Sequence, residues 1–203
     1  MKIRTVLRLA ALVALSLSLL SCKHAAVGDK DEVAVLETNY GRIVIEFYPD
    51  EAPKHVANFK ELARERFYDG TKIHRLAKDK ANKVIAIQGG DPNTINGDPS
   101  TWGMGQPDQK TVPAEFSKTL KHERGTLSAA RKAEDVNSAS SQFFICVAPN
   151  PQWDGQYTIY GRVIQGMNVV DAIARAPMIA RTEKPADPVV VNRVYITKRS
   201  EVK

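Results

Sequence analysis

Ser140-Ser141-Gln142-Phe143-Phe144-Ile145-Cys146-Val147 is the most apolar run outside the N-terminal leader, and it holds one glutamine among large side chains. It is entered through Asn137 and a cluster of serines and closed by Pro149-Asn150-Pro151, the punctuation of a short central strand. Side chains alternate along a strand, so Gln142 and Phe144 share one face while Phe143 and Ile145 share the other. One face therefore carries an amide beside a phenyl ring. A core strand is the ordinary reading of such a run. The amide makes a site plausible, because a buried glutamine without partners is costly.

Two further short strands carry polar members of the same kind: Arg75 in Ile73-His74-Arg75-Leu76, and Gln88 in Val84-Ile85-Ala86-Ile87-Gln88-Gly89-Gly90-Asp91-Pro92. Beyond them come Gly125-Thr126-Leu127-Ser128-Ala129-Ala130, Ala139-Ser140-Ser141-Gln142-Phe143-Phe144-Ile145, Asp154-Gly155 and Tyr160-Gly161-Arg162-Val163. In this order the motifs resemble the cyclophilins, a family of peptidyl-prolyl isomerases, over roughly residues 33 to 198.

The resemblance implies a mainly β fold, a closed antiparallel eight-stranded barrel capped by two α-helices. It also implies roles for particular residues. Arg75 would stabilise the twisted X-Pro amide, and Gln88 and Gln142 would hold substrate carbonyls and orient the arginine. Phe144 would floor a proline pocket joined by Ile85, Ala86, Trp153 and Tyr157, and backbone groups of Ala130 and Arg131 would pair with an extended substrate. Four positions depart from the common family pattern: Ile85-Ala86 stands where an aromatic and methionine are usual, Arg131 replaces an asparagine, and Tyr157 replaces a histidine. No nucleophile, metal or cofactor is needed. An enzyme acting on proline-containing clients is the first expectation; a proline-peptide binding module or chaperone on the same fold, with weak or no isomerase activity, is the alternative.

The start of the chain has a separate logic. Lys2, Arg4 and Arg8 precede an apolar run from Leu9 to Leu20, which is shorter than the roughly 20 residues a bilayer span needs. It reads as a secretory signal over residues 1–21. Leu19-Leu20-Ser21-Cys22 resembles a bacterial lipobox, so Cys22 is the expected lipidation site, with an ordinary cleaved signal as the alternative. Lys23 after that cysteine is not the aspartate associated with inner-membrane retention. The expectation is a lipid-anchored protein facing the periplasm, on the outer membrane, with residues 22–31 as a tether and 32–199 as one folded domain. With Cys22 acylated, Cys146 is the sole remaining thiol, a small buried hydrophobe within an apolar strand.

Net charge is +6. Three of the positive charges lie in the leader, leaving +3 for the rest, too mild to argue nucleic-acid binding. A monomer is expected.

Elsewhere, 32–47 reads as a β-hairpin turning at Thr38-Asn39-Tyr40-Gly41. Asp50-Glu51-Ala52-Pro53 opens a helix whose buried stripe is Val56, Phe59, Leu62 and Ala63, with the acids favoured by the dipole. Residues 77–83 read as a charged loop, and 89–110 as a long irregular loop lacking a phosphate-binding motif. The segment 112–116 reads as a turn that packs Phe116. A second helix begins at Asn168, with Val169, Val170 and Ile173 inward, and ends before Pro177. Ser128, Ser140 and Ser141 lack a nucleophile-elbow context, and His24, His55, His74 and His122 show no metal-ligand spacing. His74 is expected as a satisfied core residue, on the opposite face from Arg75.

Overall fold

The computed structural model describes residues 31–202. The leader, Cys22, His24 and the tether up to residue 30 lie outside the described residues. The strands are β1 (Glu32–Thr38), β2 (Gly41–Phe47), β3 (Lys72–Ile73), β4 (Arg75–Lys78), β5 (Val84–Gly89), β6 (Thr126–Ala129), β7 (Phe143–Cys146), β8 (Ile159–Gln165) and β9 (Val189–Lys198). The helices are α1 (Pro53–Arg64), α2 (Asn93–Asn96) and α3 (Met167–Ala174).

All pairings are antiparallel, in the order β3-β9-β1-β2-β8-β6-β7-β5-β4. The two end strands, β3 and β4, are consecutive in the chain and joined by His74, whose N–H donates to the Gln88 carbonyl at 3.0 Å. This brings the ends together in a nearly closed barrel. Nine strands replace the expected eight because the Ile73–Leu76 run breaks at His74, its first half pairing with β9 and its second with β5.

The interior is filled by alternate residues of every strand: Leu76, Ile87, Leu127, Phe143 and Ile145 on the site side, Leu36, Ile43, Ile45 and Val191 opposite. Burying a side chain of this size contributes about 1.5–3 kcal/mol. α1 closes one end with Val56, Phe59 and Ala63, and Phe59 stacks on Tyr68 at 4.9 Å between ring centroids. α3 inserts Val170 and Ile173, with Val169 only partly buried.

The cap of α1 differs from expectation. Ala52 offers no side-chain acceptor, and the carboxylate that receives the free amides of Lys54 and His55, and contacts His55 Nδ1 at 2.7 Å, belongs to Glu115. An anion at a helix N-terminus satisfies both orphan donors and the dipole, here from 60 residues away. The 112–116 segment is thus anchored by Glu115, while Phe116 remains 39% exposed. Residues 77–83 also resolve differently: Ala77 and Lys78 extend β4, and the turn is held by Asp79, whose carboxylate accepts the amides of Ala81 and Lys83.

His74 is 3% exposed, and neither ring nitrogen has a hydrogen-bond partner among the described residues, so it is buried as expected but not satisfied. Burial pushes its pKa from 6.5 down to about 4. The folded state therefore prefers the neutral ring, so the group's stabilising contribution is intact above pH 6.5 and lost as the pH falls toward 4. That loss approaches roughly 3 kcal/mol at the acid end. Denaturant unfolding of the wild type between pH 7 and 4 should show it, and His74→Phe should flatten the curve; equal slopes for both proteins would refute the assignment.

Candidate active site

The pleat of β4, β5 and β7 sorts side chains between the interior and an outer face. Phe143 and Ile145 point into the core, whereas Phe144 and Cys146 point outward with Ala77 and Ala86. Register places Gln88 opposite both Arg75 and Phe144. A cavity of about 90 Å³ opens here, floored by Phe144 and bounded by Ala77, Ala86, Ala130, Trp153 and Tyr157, with Arg75 and Gln88 at its rim. Trp153 and Tyr157 stand edge-on to Phe144, at 5.0 and 5.4 Å between centroids.

A polar chain runs along that rim. Arg75 Nη1 donates to Gln88 Oε1 at 3.3 Å, Gln88 Nε2 to Gln142 Oε1 at 3.0 Å, and Gln142 Nε2 to the Gly103 carbonyl at 3.1 Å. Gly103 is itself placed by the buried Asp91, whose carboxylate accepts the amides of Asn93, Gly103 and Gly105 and so shapes the loop after β5. Gly90, at φ +84°, lets that loop pass Ser141: a Cβ there would lie 2.6 Å from the Ser141 carbonyl oxygen. On its other side, Arg75 Nε donates to Glu183 Oε2 at 2.6 Å, and Glu183 Oε1 accepts the Lys78 amide at 2.9 Å. The Arg75 side chain is half exposed, so this ion pair adds little stability, about 0–1 kcal/mol. Its effect is orientation. Arg75 Nη2 makes no hydrogen bond to the described residues.

Nine of the ten residues expected at the site converge here; Ile85 does not. The parity that brings Ala86 and Gln88 outward takes Ile85 off the pocket face, and Ala77, two residues from Arg75, lines the cavity instead. The Arg131 side chain takes a role of its own beside the backbone one expected of this residue. Its guanidinium lies over Tyr157, 4.8 Å from the ring centroid, and donates to the carbonyls of Lys132, Ala133 and Gln156, locking the rim. The Ala130 N–H is already donated to the Gln142 carbonyl at 3.0 Å, so the Ala130 carbonyl and Arg131 N–H are what remain for an extended ligand.

The family model described as "Cyclophilin type peptidyl-prolyl cis-trans isomerase/CLD" matches residues 33–196. The chain belongs to the cyclophilin family. It is 38% identical over 174 residues to the "Probable peptidyl-prolyl cis-trans isomerase" of Brucella abortus (strain 2308), covering 85% of this chain and 86% of that protein. It is equally 38% identical over 161 residues to the human "Peptidyl-prolyl cis-trans isomerase-like 1", covering 79% and 89% respectively. Among solved structures it is similar to a Cryptosporidium parvum cyclophilin crystallised in the presence of the dipeptide Ala-Pro. That match has a TM-score of 0.71 and 29% identity, and it covers 82% of this chain and 99% of the other.

Two supports of this cyclophilin site carry no motif in the sequence. His122 lies behind Phe144, nearly parallel at 6.0 Å, with its backbone N–H donating to Asp154 at 2.8 Å and Nδ1 3.0 Å from the same oxygen. Burial holds its pKa below the usual value despite that carboxylate, so it stays neutral and acts as packing under the floor. Glu183 is the other. Cys146, beside Phe144 on the same face, is fully buried and its thiol is pushed up to about 12.

Proposed function

We propose that this cyclophilin accelerates X-Pro isomerisation in exported proteins by holding the Arg75 guanidinium against the imide nitrogen of a proline seated on Phe144. Rotation about that bond must abolish its partial double-bond character, a barrier of roughly 18–20 kcal/mol. In the twisted state the nitrogen lone pair leaves resonance and becomes a hydrogen-bond acceptor. A donor fixed beforehand at that position stabilises the twisted amide more than the planar one, which lowers the barrier without any covalent step. The observation that carries the reading is the Arg75 fork, tied through Nε to Glu183 and through Nη1 to Gln88, at the rim of an aromatic-floored cavity. Gln88 and Gln142 would engage substrate carbonyls, and the Ala130 carbonyl and Arg131 N–H would pair with the client backbone.

With a chromogenic X-Pro peptide, Arg75→Ala should lower kcat/KM by about 10²- to 10³-fold. Glu183→Gln, which keeps the shape but releases the orienting charge, should lose less, about tenfold or under. Wild type no faster than Arg75→Ala would end this mechanism, and peptide binding that persists without turnover would favour a proline-binding module.

The same proposal places the protein in a bacterial cell envelope, facing the periplasm and tethered through an acylated Cys22. Support comes from the leader and the lipobox-like Leu19-Leu20-Ser21-Cys22, and Lys23 favours the outer membrane. Cys22→Ala should abolish labelling by a radioactive fatty acid and release the protein from membranes. Unchanged labelling and partitioning would refute the anchor.

A further inference from the structure

The proline cavity opens into a larger cleft, about 880 Å³, that shares Arg75, Gln88 and Arg131 with it. Its charge is one-sided. Arg75, Lys78, Arg131, Arg181 and Lys184 line it, against Asp79 and Glu183.

The two carboxylates are already engaged. Glu183 is bound by Arg75 Nε and the Lys78 amide, and Asp79 accepts two amides of its own turn. Most of the cations are not. Arg131 donates only to neutral carbonyls, Lys184 Nζ donates to the Pro99 carbonyl and lies 5.9 Å from the Trp102 ring centroid, and among the described residues neither Lys78 nor Arg181 has a carboxylate partner. Lys184 also lies within electrostatic reach of the Asp98 carboxylate, so three positive charges, Lys78, Arg131 and Arg181, remain without an acidic partner around a concave wall, the arrangement that focuses a positive potential.

We propose that this cleft is a cationic subsite that takes an acidic side chain flanking the client's proline. The inference rests on the reading of Phe144 and Arg75 as the proline site. Two or three residues of extended chain reach about 7–10 Å, so neighbours of a proline seated on Phe144 fall within the cleft by continuity of the two openings. A carboxylate there would meet cations that the fold has left unneutralised. Such contacts are solvent-exposed, so each contributes a modest, salt-sensitive preference.

The test is a peptide series in which each of the three positions on either side of the proline carries Glu or its neutral isostere Gln. Both kcat/KM and Kd are measured with the intact protein, so that a preference can be read with or without turnover. At low ionic strength at least one position should favour Glu by about three- to fivefold, falling toward unity near about 0.5 M salt. Lys78→Glu combined with Arg181→Glu should abolish or invert that ratio. Equal values for Glu and Gln peptides at every position would overturn the subsite while leaving the isomerase reading intact. A Glu preference in Kd without turnover would uphold the subsite and sink the isomerase instead.

Discussion

The constraint on which everything else depends is the two-residue period of the pleat across β5, β7 and β4. Because Phe143, Ile145, Ile87 and Leu76 must fill the barrel, Phe144, Cys146, Ala86, Gln88, Ala77 and Arg75 are committed to the outer face. A slip of one residue in β4 or β5 would carry Arg75 or Gln88 toward the core and turn Leu76 or Ile87 out of it. The register that closes the barrel is therefore the same register that assembles the site, and stability and geometry are set by one set of contacts.

On that face the polar groups limit one another. The Arg75 guanidinium is flexible in isolation, yet here Nε and Nη1 are both engaged, and the chain through Gln88 and Gln142 ends on a loop carbonyl fixed by buried Asp91. A donor whose entropy is already spent can act on a developing lone pair without reorganising. The aromatic box is braced in the same way, by His122 beneath Phe144 and by the Arg131 guanidinium over Tyr157. Ala77 and Ala86 keep its aliphatic wall low.

What the sequence made legible follows from range. Strands with a clear alternation and polar residues embedded in ordered motifs were readable: β1 and β2, β5, β7, α1 and α3, and with them Arg75, Gln88, Gln142 and Phe144. The resemblance carries Ile85 over together with Ala86, yet neighbours in a strand face opposite ways, and of the two only Ala86 lines the cavity. Glu183, 108 residues from Arg75, and Glu115, capping α1 from 60 residues away, belong to segments without periodicity. Only the three-dimensional path of the chain brings them into range. His122 looked like one of several scattered histidines because nothing local marks it as packing against a ring. The helix cap shows the same limit from the other side: Asp50 and Glu51 were the nearest acids in sequence, and a more distant carboxylate took the amides.

The most direct test of the central claim is a crystal structure of the protein with bound Ala-Pro. It should show the proline ring on Phe144 between Trp153 and Tyr157, Arg75 Nη2 within hydrogen-bonding distance of the imide nitrogen, and Nε still on Glu183. A dipeptide seated away from Phe144, or an Arg75 side chain swung into solvent with the proline in place, would contradict the claim.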